Sequence, residues 1–138
     1  MINQDFIIYV VNMKKDIKRK QHIINELTKQ QIKNYEIIEA VDGSLMNEKE
    51  ISNETFSDEN GFNKWNVKMS NGEIGCSLSH IKVYKKLIAS KYNIALILED
   101  DAVFLKPFSE ILSNFILSGF SDEKQIILIS EIREFYKK

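Results

Sequence analysis

Phe6-Ile7-Ile8-Tyr9-Val10-Val11 (FIIYVV, residues 6–11) is six consecutive apolar residues, every one β-branched or aromatic. Apolar and polar residues do not alternate here, so neither face is left for water. Such a run suits a strand buried on both faces of a parallel sheet. If that reading holds, the flanking sequence should supply crossover helices and further strands, and it does. From Lys14 to Gln31 the chain is charged, with Ile17, Ile24 and Leu27 at helical spacing and Met13 and Ile23 alongside. This predicts an amphipathic helix with a lysine-rich outer face. Tyr35–Ala40 (YEIIEA) reads as a second, shorter strand, and Val41–Ser44 as a turn. The β–α–β spacing is that of a crossover unit.

Further along, residues 44–71 are polar and irregular, and the expectation is a long functional loop carrying Phe56, Phe62 and Trp65. It ends at Ser70 and Glu73, which have capping-box spacing. A helix is expected from Ile74 to about Ser90, with Leu78, Ile81, Tyr84, Lys85 and Ile88 tracing its inner face and Leu87 beside it. Asn93–Leu98 follows as a strand. Pro107 suits the first turn of a helix through Leu117 with Phe108, Ile111, Leu112 and Phe115 inside, stopped at Gly119. Gln125–Ser130 (QIILIS) is read as a last strand. Strands alternating with helices give an α/β fold with a mostly parallel sheet.

The chain has 138 residues and 43% hydrophobic content, which fits one domain, 1–138, with a real core. Nineteen basic residues stand against twenty acidic ones, a formal net charge of −1, which argues against a nucleic-acid binder. The single cysteine, Cys76, excludes an internal disulfide and fits a reducing compartment. It is expected to be a buried apolar filler. The first residues, MINQDFIIYVV, lack a basic leader, and no apolar run is long enough to span a bilayer. A cytoplasmic protein is expected. Lys14, Lys15, Lys18, Arg19 and Lys20 form a basic cluster: a solvated helix face, or a contact with anionic lipid at the inner membrane face.

In an open α/β sheet, ligands bind beyond the carboxyl ends of the strands. Asn12 stands at the end of the first strand, Asp42 after the second, and Glu99-Asp100-Asp101 after the third. Three adjacent carboxylates repel one another. Either open water or a bound cation offsets that. If a cation does, Glu99 and Asp101 are the alternate pair that meets Mn²⁺ or Mg²⁺, with Asp100 turned elsewhere. Such a cation suits a nucleotide diphosphate. Gly72 and Gly75, at the start of the central helix, mark either close approach to a ligand or tight packing. His80 follows on the same helix, and His22, on the polar first helix, is expected to be solvated.

Four blocks together resemble glycosyltransferase family 25, which includes bacterial lipooligosaccharide and lipopolysaccharide galactosyltransferases. They are IIYVVNMKKDIKRK (7–20), EAVDG (39–43), NGEIGCSLSHIKVYKKL (71–87) and ALILEDDAVF (95–104), in the family's order and spacing. The resemblance implies a GT-A-like, Rossmann-like fold and metal-assisted, inverting transfer of a sugar, often galactose. The donor would be a UDP-sugar and the acceptor a saccharide or glycolipid. It implies a DxD-type metal motif at Glu99 and Asp101 with Asp100 between them. It places Asn12, Arg19, Asp42, Gly43 and Asp100 on the donor side, and Gly72, Glu73, Ser79 and His80 in the family's second motif block, with Gly72, Ser79 and His80 also expected to bind the donor. Family members run longer, so the resemblance also implies a truncated chain holding the donor half without the acceptor half. A non-catalytic nucleotide-sugar-binding remnant is the alternative reading. Glu73 is a candidate for the general base, with the capping box as its simpler role.

Overall fold

A computed structural model of the chain describes residues 6–54, 69–104 and 107–117. The expected strand at Gln125–Ser130, the helix stop at Gly119, the side chain of Phe115 and the aromatics Phe56, Phe62 and Trp65 lie outside the described residues. Eight elements follow in order: strand β1 (Phe6–Asn12), helix α1 (Ile17–Lys29), strand β2 (Tyr35–Glu39), a 3₁₀ turn (Gly43–Leu45), helix α2 (Glu48–Glu54), helix α3 (Asn71–Ile88), strand β3 (Ile94–Glu99) and helix α4 (Phe108–Leu117). The stretch read as an irregular loop from residue 44 therefore holds the 3₁₀ turn and α2. Asn47 and Glu50 exchange side-chain-to-backbone hydrogen bonds of 3.0 and 2.8 Å, a capping arrangement that starts α2 in polar sequence with little apolar periodicity.

The three strands form one parallel sheet in the order β2-β1-β3. All seven residues of β1 are buried. Phe6, Ile8 and Val10 face α1, packing with Ile23, Leu27, Ile32 and with Leu112 of α4. Ile7, Tyr9 and Val11 face the other way, against Ile38 of β2 and Val83 of α3. A central strand covered on both sides has no polar face, which is why its sequence does not alternate. Burying each Ile or Val side chain contributes about 1.5–3 kcal/mol.

Helix α1 stops in a Schellman motif. Gln31 takes a left-handed φ of 57°, its amide donates to Thr28, and the amide of Ile32 donates to Leu27. Ile32 and Leu27 then join the same core cluster. The inner face of α1 is Ile23, Glu26 and Leu27; Ile17, expected inside, is exposed at the helix start. Similarly, Ile111 of α4 faces solvent while Leu112 is buried.

Helix α3 departs most from expectation. Its buried residues are Ile74, Gly75, Ser79 and Val83, while Ile81 and Ile88 are exposed. The helix packs by backbone proximity along the i, i+4 row 75–79–83, where small side chains let it approach the turn after β2. A Cβ on Gly75 would lie 2.6 Å from the Gly43 nitrogen and 2.7 Å from the Val41 carbonyl, and a Cβ on Gly43 would overlap the Asn71 carbonyl. Of the two readings of Gly75, tight packing is the one the fold uses. Gly72, by contrast, borders open space.

Candidate functional site at the carboxyl end of the sheet

The register of β1 with β3 pairs Val11 with Glu99, so Asn12 and the Asp100 turn come level at one end of the sheet. Asn12 Nδ2 donates to Asp100 Oδ2 at 2.7 Å and to the Asp16 carbonyl at 3.2 Å. Five residues past β1 the first turn of α1 begins, bringing Arg19 over the same turn. Its guanidinium reaches Asp100 Oδ1 at 3.2 Å and Asp101 Oδ2 at 3.0 Å. Both Asp100 oxygens are thus engaged, and the residue is 4% exposed. It holds the site together from beneath and presents no oxygen outward.

Glu99 and Asp101 point into solvent on either side of Asp100. Glu99 Oε1 meets His80 Nε2 of α3 at 3.0 Å, and Asp101 meets Arg19. Glu99 therefore turns toward α3 while Asp100 and Asp101 share Arg19 of α1, and cationic or polar side chains offset each charge. As exposed carboxylates, Glu99 and Asp101 are the oxygen donors that Mn²⁺ or Mg²⁺ takes, so their chemistry fits such an ion. Each shares one oxygen with a protein partner.

Past the triplet the chain runs along α1 and is held by its side chains. His22 Nε2 lies 3.1 Å from the Ala102 carbonyl, Glu26 Oε2 accepts from the Phe104 amide at 3.2 Å, and Gln30 Oε1 accepts from the Phe108 amide at 2.8 Å. With Arg19 these form a polar ridge at helical spacing. His22, expected to be solvated, is one of its rungs. Glu26 is buried and paired with Lys29 at 2.5 Å; that ammonium and the Phe104 amide hold its carboxyl below the usual carboxylate range.

The second strand brings Asp42 to the site. It caps the 3₁₀ turn by accepting from the Ser44 amide at 3.1 Å and hydroxyl at 2.5 Å, and pairs with Lys15 at 2.7 Å. The Lys15 ammonium and the Ser44 hydroxyl lower the Asp42 pKa, and Asp42 in turn raises that of Lys15. Lys15 ties the segment after β1 to the turn after β2, a role hidden when it is read as one of a basic cluster. With Lys15 and Arg19 paired and Lys14 4.0 Å from Glu39, much of that cluster is balanced locally.

Two residues expected at the donor are placed underneath it. Ser79 is 1% exposed, accepting from the Val41 amide at 2.8 Å and donating to the Gly75 carbonyl at 2.7 Å. Gly43 is buried against α3. Both position the turn that carries Asp42, and both are buried. Glu73 completes the capping box with Ser70, accepting from its amide at 2.7 Å and its hydroxyl at 2.9 Å. Those bonds lower its pKa, the wrong direction for a general base. Cys76, expected to be buried, is exposed beside His80 and Glu99; partial desolvation of its thiol, with the Glu99 charge, raises its pKa. The spacing Cys76-x₃-His80 was the available signal, since residues four apart share a helix face.

Among the described residues no helix is long and apolar enough to cross a membrane. The family profile described as glycosyltransferase family 25 (LPS biosynthesis protein) matches residues 6–138. The chain is 30% identical over 114 residues to mouse procollagen galactosyltransferase 2, covering 73% of this chain and 16% of that protein. It is 37% identical over 114 residues to the procollagen lysyl hydroxylase and glycosyltransferase of Acanthamoeba polyphaga mimivirus, covering 74% and 12%. A Haemophilus influenzae chain named as a glycosyltransferase is 32% identical over 93 residues, covering 67% and 31%. The chain thus spans less than a third of the length of each of these relatives. With a matching profile over nearly its whole length, the chain belongs to glycosyltransferase family 25.

Proposed function

We propose that this chain forms the nucleotide-sugar donor site of a glycosyltransferase, taking a UDP-sugar over the carboxyl ends of β1, β2 and β3. One observation carries the reading. Asn12, Arg19 and the Glu99–Asp101 triplet, distant in sequence, converge at the sheet end where α/β folds bind ligands. Arg19 is the cation best placed to meet a diphosphate, since its planar fork suits phosphate oxygens. Asp42 and the exposed first turn of α3 at Gly72 border the same end, and His80 reaches it through Glu99.

Glu99 and Asp101 would hold Mn²⁺ or Mg²⁺, which when bound supplies positive charge against the departing diphosphate. In transfer, an acceptor hydroxyl oxygen attacks the anomeric carbon. The bond from that carbon to the diphosphate breaks, its electron pair leaves with UDP, and the hydroxyl proton passes to a base. Asp100 and Asn12 keep Arg19 and the flanking carboxylates in place, and the displacement inverts the anomeric centre. Galactose as the sugar is supported by the galactosyltransferase name of the mouse relative. A lipopolysaccharide or lipooligosaccharide glycan as acceptor is supported by the family's description. The exposed Lys18 and Lys20 on α1 favour work at the cytoplasmic face of a membrane.

Calorimetric titration of UDP, with and without Mn²⁺, tests this against a Glu99→Ala/Asp101→Ala variant. Mn²⁺-dependent binding lost in the variant is expected, together with slow hydrolysis or transfer from UDP-galactose. No UDP binding by the folded chain would sink the reading. Binding without turnover of any UDP-sugar would leave donor binding alone as the function of this chain.

A further inference from the structure

Cys76 and His80 lie on the α3 side of the site and, with Glu99, have a chemistry of their own. Cys76 and His80 lie four residues apart on α3, so their side chains share one edge of the helix. Glu99 reaches that edge from the last position of β3. One ligand atom from each, a sulfur, an imidazole nitrogen and a carboxylate oxygen, lies within 4.8 Å of the other two, and His80 Nε2 is already 3.0 Å from Glu99 Oε1. We propose that Cys76, His80 and Glu99 form a binding site for a borderline-soft divalent cation, with Zn²⁺ as its natural occupant.

The donor set selects the metal. Mg²⁺ and Mn²⁺ favour oxygen ligands, whereas a thiolate with an imidazole favours zinc. Zinc bonds to S, N and O of 2.0–2.3 Å in a tetrahedron separate neighbouring ligand atoms by about 3.5 Å. The atoms present need to close by only about 1 Å, a movement within reach of side-chain rotation. The supports are rigid: the capping box fixes the start of α3, and the His80 ring is held edge-on to Tyr84 with centroids 6.2 Å apart. Three protein ligands leave a fourth position open, and both Cys76 and Glu99 are exposed, so an ion can enter from solvent. An exposed His–Glu contact alone would stabilise the fold little and would not involve a cysteine. The site shares Glu99 with the carboxylate pair proposed for Mn²⁺, but Cys76 and His80 belong to it alone and its test needs no nucleotide, so its failure and that of the donor reading are distinguishable.

The test uses Zn²⁺ alone and then Co²⁺ alone, titrated into the full reduced chain without nucleotide. One zinc per chain is expected, not displaced by excess Mg²⁺. Cys76→Ser and His80→Ala should each weaken it by about 100-fold, the upper range for residues that merely orient ligands. His22→Ala, which lies outside the cluster, should leave it unchanged. Bound Co²⁺ should show a thiolate-to-cobalt charge-transfer band that disappears in Cys76→Ser. Circular dichroism confirms that each variant is folded. No zinc uptake, uptake unaltered by Cys76→Ser, or cobalt bound without the thiolate band would each overturn the site.

Discussion

Asn12 and Asp100, 88 residues apart in sequence, share a buried 2.7 Å hydrogen bond that joins the end of β1 to the turn after β3. It is the shortest of the contacts that hold Asp100, and it explains how three adjacent acids coexist. The middle one is drawn inward and satisfied, while Glu99 meets His80 and Asp101 shares Arg19.

Breaking that bond should destabilise the fold more than an average surface change. Asp100→Ala leaves the Asn12 amide and the Arg19 guanidinium short of a partner, with an expected loss of about 1–3 kcal/mol. Asn12→Ala should fall in the same range. A double-mutant cycle by urea denaturation should give a coupling of about 0.5–3 kcal/mol. Additive losses would mean that the pair does not act as one unit.

Arg19 separates stability from binding. Its side chain is about half exposed, so Arg19→Ala should change stability by less than about 1 kcal/mol. The same substitution should weaken UDP binding by about tenfold, the size of one lost charge-assisted hydrogen bond. It should also tighten Mn²⁺ binding in the absence of nucleotide, since Asp101 loses its competing guanidinium. Calorimetry of both ligands on this variant decides whether Arg19 faces a phosphate.

The glycines of α3 should respond in opposite ways. Gly75→Ala drives a Cβ into backbone atoms that cannot rotate away, and about 1–3 kcal/mol should be lost. Gly72→Ala meets nothing closer than the Ser70 hydroxyl oxygen at 3.9 Å, and alanine is the better helix former by about 0.5–1 kcal/mol. Thermal melts of the two variants should shift to opposite sides of the parent.

Acid should unfold the chain through Glu26, Asp42 and Glu73. Each has a pKa lowered in the fold by hydrogen bonds or a cation. A carboxylate with a depressed folded pKa adds stability that is present above its unfolded pKa, about 4. That stability is lost as pH falls through the lower folded values. The melting temperature should therefore hold above pH of about 5 and drop below about 4. Glu26→Gln should flatten the drop, and a parent profile that is flat to pH of about 3 would contradict the assignment.

The sheet was legible because FIIYVV cannot be half-solvated and because helix-period segments separate the strands. The capping box at Ser70 and Glu73 and the inward turn of Asp100 also follow from local pattern and like-charge repulsion. The inner face of α3 did not. Leu78, Ile81 and Ile88 carry the apolar period, but the helix is seated by Ile74, Gly75, Ser79 and Val83, and the small size of Gly75 and Ser79 hides that row from a hydrophobic pattern. Ile17 misled in the same way, since its spacing matches a stripe whose first turn overhangs the sheet. The roles of His22, Glu26 and Gln30 depend on a segment about 80 residues later, which no local window contains. Cys76 was misjudged because cysteine is usually buried, and only its spacing to His80 hinted otherwise.

The polar ridge of α1 makes two backbone amides into reporters. Phe104 and Phe108 donate to side chains, Glu26 and Gln30. Their exchange with deuterated solvent is therefore governed by whether α1 lies against the segment that follows the acids. Protection at those two positions, compared with the strand amides of β1, measures how often this end of the molecule opens while the sheet stays closed.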